Sequence, residues 1–244
     1  MSKVLVITGG SRGIGAKVAL GAARQGWRIA LVYQTNRPRA EEVLAAVRGQ
    51  GGEAIALQAD IADEAAVTRL FATVDGELGR LSGLVNSAGI IGPSGRLEAV
   101  EGASLAALWA INITGTMLCC REAIRRMSTR HGGSGGAIVN LSSAASRLGG
   151  AGSTIPYAAS KGAIDSLTFG LGQEVAAEGI RVNAVSPGVI DTEIQPPGRV
   201  AQIGPLLPMQ RVGQPEEVAE AILFLLSDAA SYIAGAVLNV SGAR

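Results

Sequence analysis

Short apolar runs recur along the chain, each stopped by turn-forming residues: Lys3 to Thr8, Arg28 to Tyr33, Glu53 to Gln58, Leu84-Val85, Ala137 to Leu141, Arg181 to Val185 and Ala236 to Val240. Runs of this kind, rich in Val, Ile and Leu, predict buried strands. Between them the apolar residues switch to helical spacing. This predicts helices over Ala16 to Gln25, Arg39 to Gly49, Asp63 to Glu77 (with Ala66, Leu70 and Val74 on one stripe), Leu105 to Ser128, Tyr157 to Ala177 and Pro215 to Leu226. Strand alternating with helix predicts an α/β fold, a doubly wound parallel sheet of seven strands with helices on both faces. One segment breaks the alternation. Glu193 to Gln214 carries Pro196, Pro197, Pro205 and Pro208 with Gly198, Gly204 and Gly213, so it is expected to be an irregular lid, spanning about 190–214, that closes over substrate.

Length and composition narrow the classes. A chain of 244 residues with 48% hydrophobic residues is expected to form one domain, 1–244. Its net charge of +1 gives no electrostatic reason for nucleic acid or an anionic membrane as partner, which leaves a small-molecule substrate. The first apolar run is too short for a signal-peptide core, and nowhere do about 18 apolar residues follow one another. Cys119 and Cys120 are adjacent, where bridging each other would be strained, which suits a reducing compartment. A cytoplasmic protein is therefore expected. The lone His131, beside a Gly-rich connector into the fifth strand, has no metal-ligand partners at suitable spacing, and no metal is expected.

Two stretches carry candidate chemistry. Thr8-Gly9-Gly10-Ser11-Arg12-Gly13-Ile14-Gly15 lies between the first strand and the first helix. Glycines there let the backbone approach a pyrophosphate, and the helix N-terminus attracts it. The spacing is Gly-x-x-x-Gly-x-Gly rather than the more familiar Gly-x-Gly-x-x-Gly, but the strand–turn–helix context is the one a dinucleotide site requires. In the second stretch, Tyr157 and Lys161 stand four residues apart on a predicted helix and so share a face, with Ser143 upstream at the end of the fifth strand. An ammonium beside a phenol favours the phenolate and is expected to lower the Tyr157 pKa toward working pH.

Thr8 to Gly15, Asn86-Ser87-Ala88-Gly89, Asn112, Ser143, Tyr157, Lys161 and Pro187-Gly188 together resemble the short-chain dehydrogenase/reductase family over essentially the whole chain. The resemblance implies a Rossmann fold and hydride transfer between a nicotinamide cofactor and a carbonyl or secondary alcohol. It implies that Tyr157 is the acid/base, that Lys161 holds the nicotinamide ribose and that Ser143, rather than Ser142 or Ser146, bonds the substrate oxygen. Asn112, in the context Asn112-Ile113-Thr114-Gly115, would hold a water in the proton relay. Gly9, Ser11, Arg12, Gly13, Ile14 and Gly15 would cradle the phosphates. Asp60-Ile61 would meet the adenine, although Asp60 can also be read as a helix cap for which Asp63 is better suited. Asn86, Ala88 and Gly89 would lie along the cofactor, with Ser87 replacing the family's usual second Asn. Pro187 and Gly188 would lie on the nicotinamide side, where Val189 or Ile190 backbone atoms would meet the carboxamide and Thr192 would bond the amide or a phosphate. The resemblance also implies a homotetramer built on the two long helices.

Cofactor choice is read at the end of the second strand. Enzymes that choose NAD commonly place a carboxylate there to bond the ribose 2′-hydroxyl; this chain has Tyr33 and Gln34, and no acid before Glu41. Arg12 lies in the glycine turn and Arg37 just beyond the second strand; the resemblance implies that basic residues at these two places flank the adenosine ribose, and guanidinium groups pair well with phosphate. NADP(H) is therefore expected, with NAD(H) possible if Arg12 merely packs along the adenine and Arg37 is solvated. Two other readings stay open: a 3-oxoacyl-carrier-protein reductase, docking an acidic carrier on Arg121, Arg125, Arg126 and Arg130 if these are not simply a solvated face, and a non-catalytic redox sensor or scaffold.

Overall fold

The computed structural model describes residues 3–244. Seven strands, β1 (Val4–Thr8), β2 (Arg28–Tyr33), β3 (Ala54–Gln58), β4 (Leu81–Asn86), β5 (Gly136–Leu141), β6 (Ile180–Pro187) and β7 (Val237–Val240), form one sheet in the order β3-β2-β1-β4-β5-β6-β7. Every neighbouring pair is parallel. The inner strands bury both faces, so successive residues part to opposite sides: Leu5 and Ile7 of β1 join one core, Val4 and Val6 the other. On the first side lie α1 (Gly13–Arg24), α2 (Arg37–Gly49) and α9 (Pro215–Leu226). On the second, α3 (Glu64–Glu77), α5 (Thr116–Met127) and the end of α7 (Ile155–Val175) pack through residues such as Phe71, Ala123 and Val175.

Helix starts follow local chemistry. The Asn36 side chain accepts the Arg39 N–H at 3.1 Å, with Pro38 in the first turn of α2. Asp63 caps α3, accepting from Ala65 N and Ala66 N. Before α9, Glu217 accepts the Gln214 N–H at 2.7 Å; its bond to Arg211 and that backbone bond hold its carboxyl at about 2.

Three sequence expectations change. The helix expected over Leu105 to Ser128 is a 26-residue helical segment made of α4 (Gly102–Trp109), a π-helical turn (Ala110–Gly115) and α5. By length and composition alone this segment passes for a membrane span, and its α5 face packs on the sheet through Cys119, Ala123 and Met127. The segment expected to be a lid is not wholly irregular. After Gly198 at φ +77, α8 (Arg199–Ile203) forms because Val200 and Ile203, spaced for one helix face, pack against Val189, Leu207 and Val212. A further short helix, α6 (Ala145–Leu148), follows β5 and is not among the helices predicted from the apolar spacing.

The arginine cluster is internally neutralised. Arg121, Arg125 and Arg126 converge on buried Glu122, Arg121 also meets Glu64, Arg126 meets Asp75, and Arg130 meets Glu178. Burial raises the Glu122 carboxyl, and the arginines more than offset it, leaving the group below its ordinary range. The cluster is thus an ion-pair network rather than a set of free cations.

Candidate active site

Sheet order reverses direction between β1 and β4, and the carboxyl ends of the strands open there into a cleft of about 840 Å³. Its floor is the glycine turn. Gly9 has φ +64, and a Cβ there would lie 2.8 Å from the Ala88 backbone, so the β1 and β4 turns touch only because the side chain is missing. Thr8 fixes the same junction: its hydroxyl oxygen accepts from Ser87 N and Ala88 N, each at 3.1 Å. A hydroxyl fits here; in the sequence Thr8 belongs to the glycine motif with no role of its own assigned to it.

The cleft wall opposite is built by β5 and α7. Ser143 leaves β5, Tyr157 stands in the first turn of α7, and Lys161 follows one turn later. The Lys161 ammonium lies 5.7 Å from the Tyr157 ring centre and donates to the Leu141 carbonyl at 2.7 Å. Burial pulls the lysine down to about 8, against the opposing charge of Asp165. The expected lowering of Tyr157 is not what the structure gives. Burial raises the phenol, and only its hydrogen bond with Ser143 draws it back. The lysine is itself removed from water and bonded to a carbonyl, so its charge does not offset the desolvation of the ring.

Of the residues expected at the cofactor, Gly9, Ser11, Arg12, Gly13 and Ile14 line the cleft, as do Asp60, Ile61, Ala88 and Gly89 in its middle and Pro187, Gly188, Ile190 and Thr192 at its far end. Four expected site residues do not. Gly15 lies beneath the turn, where a Cβ would collide with the Gly9 carbonyl oxygen. Arg37 turns along α2 toward Glu41, and the Asn36, Thr35 and Gln34 beside it line the cleft instead. Asn86 points into the sheet, donating to Asn140 Oδ1 at 2.9 Å and to Cys120 Sγ. Asn112 is 1% exposed and clamps Ile90: its Oδ1 accepts Ile90 N and its Nδ2 donates to Ile90 O, both at 2.9 Å. The amide also donates to Ser160 Oγ, which donates to the Tyr157 carbonyl at 2.7 Å. The Asn112 side chain thus holds the β4 loop to α7. Ser160, missed in the sequence, had one visible sign: a small hydroxyl residue directly before the lysine.

Asp60 stays at the cleft with its Oδ1 accepting Ala62 N, and Asp63 takes the cap. Among the described residues no group of three or more His, Cys, Asp or Glu is arranged to hold a metal. The chain therefore presents a glycine cradle at a helix N-terminus, a phenol–hydroxyl pair and a buried amine along one cleft, a set that fits a dinucleotide and can pass a proton to a substrate oxygen.

The sequence model of the family described as enoyl-(acyl carrier protein) reductase matches residues 9–242. The chain is a short-chain dehydrogenase/reductase. It is 49% identical over 245 residues to the uncharacterized oxidoreductase YgfF of Escherichia coli, covering 99% of each chain. It is 40% identical to the cis-4-hydroxycyclohexanecarboxylate dehydrogenase of Sinomonas cyclohexanicum, over 98% of this chain and 95% of that one. A short-chain dehydrogenase from Burkholderia cenocepacia, solved in complex with NADP, superposes with a TM-score of 0.91 at 33% identity, over 98% of this chain and 96% of that one. This short-chain dehydrogenase/reductase is accordingly a nicotinamide-dependent oxidoreductase of alcohol and carbonyl groups with a Rossmann fold.

Proposed function

We propose that this enzyme transfers hydride between NADP(H) and the carbonyl or secondary alcohol of a small substrate. The observation that carries the reading is the convergence of Ser143, Tyr157 and Lys161 on the wall opposite the glycine turn. When bound, the nicotinamide supplies or accepts the hydride at the substrate carbon. Tyr157 gives its phenolic proton to the carbonyl oxygen in reduction, and its raised pKa keeps that proton available through neutral pH. Ser143 bonds the same oxygen. Lys161, buried at the base of the pair, holds the nicotinamide ribose hydroxyls, and Asn112 keeps the Ile90 loop against α7.

Preference for NADP(H) rests on Arg12, which is exposed at the end of the cleft lined by Gln34, Thr35 and Asn36 and has no ion-pair partner among the described residues. Arg37, paired with Glu41, leaves this role to Arg12. Tyr157→Phe is expected to abolish turnover with cofactor affinity held within a few fold, and kcat/KM for NADPH over NADH is expected to exceed one in the wild type and to fall in Arg12→Ala. Near-normal turnover in the first variant removes the acid/base role, and NADH-favouring efficiency removes the cofactor preference.

A carrier-protein-bound substrate is the second reading. Nothing at the neutralised arginine cluster favours it over a free small molecule. We also propose a homotetramer, supported by exposed apolar side chains on three elements: Met117 on α5, Phe169 on α7 and Leu238 on β7, the sheet's edge strand.

A further inference from the structure

Arginine is abundant in this protein, and most of its guanidinium groups are engaged. Arg28, Arg37, Arg39, Arg96, Arg121, Arg125, Arg126, Arg130 and Arg211 have carboxylate partners, while Arg48, Arg80, Arg147 and Arg181 donate to carbonyls or a hydroxyl. Among the described residues Arg12, Arg24, Arg69, Arg199 and Arg244 have neither. Of these, Arg12, Arg199 and Arg244 line the catalytic cleft. Arg12 belongs to the glycine turn, which leaves two unpaired cations to explain.

Both lie at the nicotinamide end. Arg199 opens α8, a few residues after the cleft-lining Thr192, Ile194 and Pro196. Arg244 is held by its main chain: its oxygen accepts from Ser241 Oγ at 3.1 Å and from Arg147 Nη2 at 3.4 Å, and Arg147 belongs to α6, which begins two residues after Ser143. Ser241 packs so closely on Gly188 that a Cβ on that glycine would lie 2.9 Å from it. The main chain on which Arg244 sits is thus fixed between the Pro187-Gly188 turn and the helix behind Ser143, while its guanidinium has no internal partner. Among the cleft-lining residues on this side the carboxylate is Glu193, exposed and unpaired among the described residues, and the two guanidiniums outnumber it there; Asp191, two residues earlier, is exposed outside the lining. The rest of this end is apolar, with Ile90, Ile91, Leu148 and Ile194 along the walls. Two guanidinium forks beside an apolar pocket match a planar anion on a compact hydrocarbon body.

We infer that the substrate is a hydroxy or keto carboxylic acid, with its alcohol or carbonyl at Tyr157 and its carboxylate at Arg199 and Arg244. This rests on the hydride-transfer reading and names the substrate class of the same site. In the reductive direction the carbonyl carbon gains the hydride of NADPH and the oxygen gains the Tyr157 proton; the carboxylate takes no part in the bond changes and serves to orient.

The test compares charged and neutral versions of one ketone. With NADPH, kcat/KM is measured for 4-oxopentanoate and its methyl ester, and for 4-oxocyclohexanecarboxylate and its methyl ester. The acid is expected to be favoured over the ester by about tenfold or more in at least one pair, the scale of a charge-assisted hydrogen bond. Arg199→Gln and Arg244→Gln should each narrow that ratio, chiefly through KM, while Arg69→Gln on α3 should leave it as in the wild type. A calorimetric titration of the NADPH-loaded protein with cyclohexanecarboxylate and with cyclohexanecarboxamide reads recognition without turnover; NADPH is used because its dihydronicotinamide ring adds no positive charge. Tighter binding of the carboxylate, weakened in both variants, supports the inference. Esters reduced as well as acids in both pairs, or an amide bound as tightly as the carboxylate, overturns it while leaving hydride transfer standing. A carboxylate bound tightly by a protein that reduces no ketone sinks the hydride-transfer reading instead.

Discussion

Lys161 is 6% exposed, and its pKa falls to about 8 from an ordinary value near 10.5. A lysine whose folded pKa lies below its unfolded one binds fewer protons in the native state between those two values, so native stability rises with pH across that window. Relative to Lys161→Met, the unliganded wild type should therefore gain stability from about pH 8 to pH 10, measured by urea unfolding; the comparison cancels the buried Cys119 and Cys120 thiols, which burial raises and which act in the opposite direction. The difference between the two proteins shrinks as pH rises; a constant difference would show that burial does not perturb the amine. Asp165, one turn further along α7, has an Oδ1 that is buried without a hydrogen-bond partner and opposes the desolvation of Lys161. Asp165→Asn is expected to move the high-pH limb of the reductive kcat/KM profile to lower pH, because the amine loses its proton sooner. These values were not legible in the sequence. The spacing of Tyr157 and Lys161 gave their shared face, but whether the phenol is raised or lowered depends on how much water each keeps, and that is decided by β5, α6 and the Ile90 loop. Asn86 teaches the same point: the motif gave its position at the end of β4, and only the packing of Asn140 and Cys120 against it turned the side chain inward.

The π-helical turn at Ala110–Gly115 is the element on which the site's architecture turns. π turns inside helices recur at functional sites, and here the widened turn carries Asn112, whose amide satisfies both backbone groups of Ile90 and the hydroxyl of Ser160. Asn112→Ala would strand these partly buried groups and is expected to destabilise the protein by about 1–3 kcal/mol, checked by denaturant midpoint. It should also weaken cofactor affinity several fold, since Gly89 lies beside the same amide: a Cβ there would be 3.2 Å from Asn112 Oδ1. An unchanged midpoint would mean that the clamp contributes nothing. An Asn inside an apolar helix was visible as an anomaly, while the widened turn was not, because a single π turn interrupts the α spacing only briefly before α5 resumes it. The segment at 190–214 shows the opposite failure. Its prolines and glycines were read as excluding regular structure, yet Val200 and Ile203 at helical spacing sufficed for one short helix once Val189 and Val212 gave them a surface.

At the scale of the whole molecule, alternation of strand and helix was enough to predict the doubly wound sheet, because parallel strands buried on both faces read as continuous apolar runs and need a crossover between them. What alternation could not supply is which surfaces stay uncovered. β7 lies at one edge of the sheet, with Leu238 37% exposed, and Phe169 of α7 is 61% exposed beside Gly235. An exposed edge strand presents unpaired backbone groups and invites another chain, and here apolar side chains flank it on the helix next to it. On the second face, α4, the π turn and α5 together form a 26-residue segment of which only 33% of the most hydrophobic window is buried, with Met117 outward. Two separate uncovered surfaces, an edge and a helix face, are what a tetramer with twofold contacts of two kinds uses, each patch meeting its own copy. Light scattering at micromolar concentration is expected to give a tetramer. Leu238→Lys, directed at the edge, should yield dimers held through the helix face, whereas Met117→Lys should yield dimers held through the edge, and the double variant monomers. A wild-type monomer would remove the assembly, and a double variant that stays tetrameric would place its contacts elsewhere.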